Sequence, residues 1–310
     1  MSIKANLRSR KRRRRILTIS IVAVVVALLV VVYFIATLEA APASPLIGKP
    51  VPSSFLQQIT GVSDATLASV GKSSSATPPV SISGTALTSG GKPEVVYIGG
   101  EFCPFCAIER WSLIMALSHF GTFQGLEYMM SSGTDVNPNT PTFTFANTTY
   151  TSNYISFVPV EEFGRQGTSQ VIQTLSSEQQ SLVSQFDTCA PTNQNGGIPF
   201  VDVANQYAVN CGAQFTLSNT PGAASDYIVG MNWTQIASQL NDPSSPIAQR
   251  IDGAANYLIT AICKVTGESP SAVCVQSYAN LTLAYEPAGP APVGSLLAVP
   301  TRAADQLWTD

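Results

Sequence analysis

Cys103 and Cys106 constrain this chain more than any other feature, because of what stands on either side of them. Val95-Val96-Tyr97-Ile98 is a short β-branched and aromatic run of the kind that forms a buried strand. Gly99 and Gly100 are expected to break it. Cys103-Pro104-Phe105-Cys106 then opens a segment of helix formers from Ala107 to Leu117. Pro104 suits a first helical turn, where its missing N–H is no loss. Cys103 is thereby expected at the helix N-terminus, where free N–H groups and the macrodipole favour a thiolate. Cys106, one turn on, would lie within disulfide reach. A dithiol exchange centre needs this arrangement: an acidified sulfur to attack, and a second to resolve the mixed disulfide. Two plainer readings stand beside it. One is half of a zinc site, although Cys189, Cys211, Cys263 and Cys274 offer no second pair at ligand spacing. The other is a static structural disulfide.

The run from Ile16 to Leu38 carries no charge apart from its flanks and is long enough to cross a bilayer as a helix. Lys4, Arg8, Arg10, Lys11 and Arg12 to Arg15 precede it, half of the 16 Lys and Arg in the chain. Such residues stay on the cytoplasmic side. The expected layout is a basic cytoplasmic tail over 1–15, a single-pass anchor in the cell membrane over 16–38, and everything later extracytoplasmic. A cleavable signal peptide is the rival, because Glu39-Ala40-Ala41-Pro42-Ala43 contains small-residue cleavage patterns. However, the apolar run exceeds the roughly 7–15 residues of a signal core. Beyond Arg15, 8 basic residues face 19 acidic ones, a formal net charge of −11. That part offers no basic patch for nucleic acid. It also holds all six cysteines, as expected where disulfides persist.

Residues 39–92 read as a stalk and N-terminal extension: Pro-rich and extended over Ala40 to Pro52, weakly helical over Ser53 to Val70, irregular from Lys72 to Lys92. The helix after Cys106 is apolar around most of its circumference and so is expected against a sheet. His119, the single histidine, falls near its end and is read as a capping side chain. Gly121 to Gly125 reads as a turn and Leu126 to Met130 as a second strand, which would complete a βαβ unit. Residues 131–188 are taken as an insertion, with strand-like alternation at Phe143 and Phe145 and, less cleanly, at Tyr154, Ile155, Phe157 and Val158. A capping box at Ser176 to Gln179 would start a helix within it. Gly196 to Val209 reads as a hairpin headed by Pro199, whose peptide bond is trans by default. Cys189 and Cys211 flank that hairpin and are candidates for a bridge across its base. The C-terminal part is helical, with Pro246 as the first residue of a helix through Ile262. Cys263 and Cys274 would staple two helices, a structural clamp of somewhat under about 3 kcal/mol. Residues 284–310 form a Pro/Ala-rich tail.

Tyr97 to Ala107, with Glu109-Arg110-Trp111 and Phe120-Gly121-Thr122-Phe123, resembles the family catalogued as domain of unknown function 929, of membrane-anchored, thioredoxin-like proteins. The resemblance implies an α/β, thioredoxin-like fold over 93–283 with an inserted segment and extra C-terminal helices, preceded by one transmembrane helix. It assigns Cys103 as nucleophile, Cys106 as resolving thiol, and Pro199 as a cis-proline beside them. Ile198 would offer its backbone to a substrate peptide. One departure is the spacing from Cys103 to Pro199, longer than in a minimal thioredoxin. Another is that the strand before the dithiol has no interior carboxylate. Glu101 or Glu109 is then the candidate proton relay, unless each is a solvated charge beside a helix end. Arg110 reads equally as a source of positive potential or as a surface residue.

The activity implied is extracytoplasmic thiol–disulfide exchange on secreted proteins, as oxidase, isomerase or reductase. It calls for no organic cofactor and no metal, but for a membrane redox partner that recycles the dithiol. The alternatives are a copper-handling module, with His119 and Met129 or Met130 beside the dithiol, and a non-catalytic binding domain.

Overall fold

A computed structural model describes residues 16, 18–20, 22–28, 43–189, 194–209 and 224–283. Residues 16, 18–20 and 22–28 are helical and exposed. Among the described residues no helix is long and apolar enough to cross a membrane. The remainder of the expected anchor over 16–38, the basic tail 1–15 and the tail 284–310 lie outside the described residues.

The segment expected as a free stalk is docked. Gly48 and Val51 donate their N–H groups to the carbonyls of Tyr128 and Leu126, and Tyr128 N–H donates to Lys49 O. The prolines do not prevent this, because the residues between them keep N–H groups that reach a strand edge. Helices α1 (Ser53–Thr60) and α2 (Asp64–Val70) follow, the second capped by the Ser63 side chain accepting from Thr66 N–H. They bury Phe55, Ile59 and Leu67 in the main core. The stretch expected to be irregular contributes two short strands, β1 (Val80–Ser81) and β2 (Thr88–Ser89).

Strand β3 (Lys92–Gly100) is the axis of the fold. Val95 and Tyr97 pack into the main core on one face, and Val96 and Ile98 into a second, smaller core on the other. A strand covered on both faces accounts for a continuous apolar run without alternation. The glycines expected to break it are its last two residues. Helix α3 (Pro104–Ser118) is buried almost throughout, as its all-round apolar sequence requires.

Strands β4 (Gly121–Gln124) and β5 (Glu127–Met130) are answered by β6 (Pro141–Thr144) and β7 (Thr149–Ser152), which pair antiparallel with β5 and β4 respectively. Gly121 to Gly125 is therefore mostly strand rather than turn. The parallel partner of β3 is not Leu126 to Met130 but β8 (Ser156–Phe163), aligned from Glu94↔Ser156 to Gly99↔Glu161. The expected insertion over 131–188 must be redrawn accordingly, since β8 lies inside it and at the centre of the sheet. Pro159, Glu161 and Glu162 interrupt the apolar pattern of β8 and disguise it.

Helix α4 (Ser177–Phe186) begins at the expected capping box on Ser176. A two-residue ribbon follows, β9 (Thr188–Cys189) with β10 (Gln194–Asn195). Strands β11 (Phe200–Val203) and β12 (Tyr207–Val209) form the hairpin. The main sheet runs β1-β12-β11-β3, with β2 and β8 also paired to β3. It is a mixed sheet in an α/β protein. Helix α5 (Trp233–Ala237) is capped by Asn232. The long helix α6 (Pro246–Val265) packs on α3, and α7 (Ser271–Cys274) and a 3-10 turn over Ser277–Ala279 follow it.

Cys263 and Cys274 form a disulfide between α6 and α7, with Cα atoms 5.5 Å apart and a sequence separation of 11. Cys274→Ser should lower unfolding stability by somewhat under about 3 kcal/mol, as a short closed loop predicts; a urea titration of the variant against the parent measures it. Cys211 lies outside the described residues, and with it the suggested bridge to Cys189.

Candidate functional site

The carboxyl end of β3 runs through Glu101 and Phe102 into α3. This connection is held from both sides, by Glu101 N–H on Phe163 O (2.8 Å) and by Ser132 N–H on Phe102 O (2.8 Å). Cys103 is the N-cap of α3: its Sγ accepts from Cys106 N–H at 3.3 Å, in the place a Ser or Asp oxygen takes in other caps. Pro104 occupies the first helical turn. Both cysteines are thiols and both are buried, Cys103 with 5% of its surface exposed and Cys106 with none.

The antiparallel register Phe200↔Ile98 brings the start of β11 level with the end of β3. The Ile198–Pro199 bond is cis, against the default for an X-Pro bond and in line with the resemblance. The Ile198 carbonyl stands 3.8 Å from Cys103 Sγ. The residues singled out in the sequence as nucleophile, resolving thiol and backbone neighbours thus share one end of the sheet. Half-buried Phe102, Phe105 and Phe163 lie close by in the chain or in register, and the Phe102 and Phe163 rings meet at 6.1 Å.

Burial would raise the Cys103 thiol, but hydrogen bonds from the Cys106 side chain and from the Cys106 and Phe105 N–H groups, helped by the Arg110 charge, leave it below the ordinary thiol value. Cys106 is pushed well up, first by burial, then by its hydrogen bond to Cys103 and the charge there. The two sulfurs are therefore unequal, the outer one acidified and the inner one held as a thiol.

The residues considered as proton relays are not solvated charges. Glu101 is raised chiefly by burial, against a hydrogen bond that Thr144 Oγ1 donates to its Oε1 at 2.6 Å, which turns it toward β6. Glu109 is wholly buried in α3. Arg110, read equally as a surface residue, is also wholly buried and makes a bidentate pair with Glu161 of β8: Nε to Oε1 at 2.8 Å and Nη2 to Oε2 at 2.6 Å. Glu161 was not visible as a partner from the sequence, because nothing local links β8 to α3. The adjacent glutamates of an otherwise apolar strand were the only signal.

His119 closes α3 with its backbone N–H rather than its side chain. At about 1.5 Å per residue it lies about 24 Å along the helix from Cys103. The histidine a copper-handling reading needs is thus far from the dithiol. Among the described residues the one group of three metal-ligating side chains is Cys263, Glu268 and Cys274, and its sulfurs are already bonded to each other. A surface hollow of about 220 Å³ bordered by Leu87, Pro93, Tyr207 and Lys264 contains neither Cys103 nor Cys106.

Fold and site together define a mixed α/β protein that carries an unequal, reduced dithiol where its central strand meets a buried helix. The chain belongs to the family described as Domain of unknown function (DUF929), which it matches over residues 78–264, more than half its length. No curated protein and no solved structure matches it.

Proposed function

We propose that this protein is a thioredoxin-like thiol–disulfide oxidoreductase, held at the cell membrane by its N-terminal apolar run and acting outside the cytoplasm on secreted proteins. The observation that carries the reading is the approach of Cys103 Sγ to the Ile198 carbonyl, 3.8 Å, beside a cis Pro199 that begins β11. The β3-α3-β8 crossover followed by the β11-β12 hairpin and α6 supports the same fold assignment.

In the exchange, the Cys103 thiolate attacks one sulfur of a substrate disulfide. A bond forms between Cys103 Sγ and that sulfur, and the substrate's own S–S bond breaks, releasing the other sulfur as a thiolate. Cys106 then attacks Cys103 Sγ. The Cys103–Cys106 disulfide forms, the mixed disulfide breaks, and the second substrate thiolate leaves with the proton that Cys106 gives up. The dithiol is oxidised and the substrate disulfide reduced; run backward, the steps oxidise a substrate dithiol. Stabilising the thiolate favours the reduced protein and so makes the pair more oxidising.

Insulin reduction with dithiothreitol as electron source tests the reading. The parent protein should accelerate it, Cys103→Ser should fall to the background rate, and Cys106→Ser should accumulate a mixed disulfide. A parent no faster than Cys103→Ser would sink the proposal.

A further inference from the structure

The Arg110–Glu161 pair calls for an explanation other than stability. Both side chains are wholly removed from water. A buried ion pair often contributes no more than apolar residues of the same size would, because desolvating both charges offsets their attraction. Its position is more telling. Arg110 follows Cys106 by four residues and so lies on the same face of α3, one turn deeper. Glu161 enters from β8 opposite Gly99, just before the dithiol loop.

The guanidinium is held by one edge only. Nε and Nη2 are committed to Glu161, while Nη1 makes no hydrogen bond among the described residues. The same is true of the Tyr97 hydroxyl, whose ring centre is 5.7 Å from Arg110 Cζ. That hydroxyl lies along the strand over Gly99, where a Cβ would clash with it. Gly99 is thus required to admit the tyrosine beneath the dithiol. The ionisable groups around this spot are Cys103, Cys106 and Glu109 from α3, Tyr97 and Glu101 from β3 and its exit, and Glu161 from β8. Arg110 is the one cation among them, and its charge lowers both thiols.

We propose that Arg110 is a positioning residue for the dithiol: Glu161 clamps one edge of its guanidinium so that the other edge and the positive charge hold negative charge on the Cys103–Cys106 pair. The need is greatest when Cys106 ionises inside the protein to resolve the mixed disulfide. The proposal rests on the exchange reading above. Arg110 touches neither sulfur through a hydrogen bond; it acts through the field it sets behind them.

Two variants of the full chain separate this role from a merely structural one, because they move the readout in opposite directions. Glu161→Gln keeps an acceptor for Arg110 but removes the counter-charge. The thiolate absorbance should then titrate at lower pH, and the pair should become more oxidising in glutathione buffers. The double variant Arg110→Met/Glu161→Met removes both charges. Its thiolate should titrate at higher pH, and its equilibrium with glutathione should shift severalfold toward the protein disulfide, less than the about tenfold or more of losing an opposite charge alone, because the like charge of Glu161 goes with it. Circular dichroism establishes that each is folded, and if one is not, the other still carries the sign. Parent-like potential and titration in a folded variant, or a shift of the wrong sign, would overturn the role of Arg110. A parent protein that fails to equilibrate with glutathione at all would instead overturn the exchange reading.

Discussion

Replacing Glu161 by Ala should lower the unfolding free energy by about 3–5 kcal/mol, among the largest effects available to a single substitution in this protein. The reason is what remains. Arg110 has no exposed surface, and among the described residues Glu161 accepts both hydrogen bonds that its guanidinium donates. Without the carboxylate a positive charge stays in the interior, its one ion-pair partner among the described residues gone. Phe145 N–H, which also donates to Glu161 Oε1 at 3.3 Å, loses its acceptor too. For a domain of this size the loss corresponds to about 2–4 °C in melting temperature per kcal/mol. Arg110→Met/Glu161→Met should recover most of it, since neither charge is then left alone. Scanning calorimetry on both variants checks the pattern; a single variant as stable as the double would contradict it.

The second large effect is pH dependence centred on Asp202. This residue lies wholly buried in β11, opposite Val96 of β3. Its Oδ1 accepts Asn205 N–H at 2.8 Å, closing the hairpin turn, while Oδ2 has no hydrogen-bond partner among the described residues. Burial pushes its pKa up to about 7, against the Asn205 hydrogen bond and with some help from the Glu94 charge. The unfolded chain titrates near about 3.9. A raised folded pKa means that the folded state holds the proton more tightly. The contribution of Asp202 to stability is therefore complete below about pH 4 and is lost as the pH climbs through 7. Asp202→Asn keeps an oxygen for Asn205 N–H and cannot ionise. Relative to it, the parent should lose up to about 4 kcal/mol between pH 4 and pH 8, three pKa units at about 1.4 kcal/mol each. Urea unfolding of the two proteins at several pH values measures the difference. Parallel profiles would show that Asp202 ionises freely in the fold.

Some of this was legible in the sequence and some was not, for physical reasons. The strand–dithiol–helix unit could be read because each part is a local signal: a β-branched run, a proline at a first turn, an apolar helix. The hairpin from Phe200 to Val209 and the capping box at Ser176 are local in the same way. Strand β8 could be read only in part: Phe157 and Val158 alternate weakly, but its parallel pairing is made across the whole of α3 and the two intervening ribbons, and Pro159 and Glu161 mask the rest. The charged residues of the site were left between two readings for a related reason. Arg110 beside Glu109 resembles a wet helix face, and only the arrival of Glu161 from a strand far along the chain allows the arginine to be buried. Asp202 draws no notice within the hairpin run; its contact with Asn205 is local, but its burial comes from the neighbouring strands.

The docking of residues 48–51 on β5 has a further consequence. A two-stranded ribbon such as β5-β6 leaves a row of backbone groups open on its outer side, and such rows recruit other chains into intermolecular pairing. Here the incoming polypeptide occupies Leu126 and Tyr128 before a neighbour can. The proposed tether thus doubles as a gatekeeper against self-association, a safeguard that matters most for molecules confined at high local density in one plane.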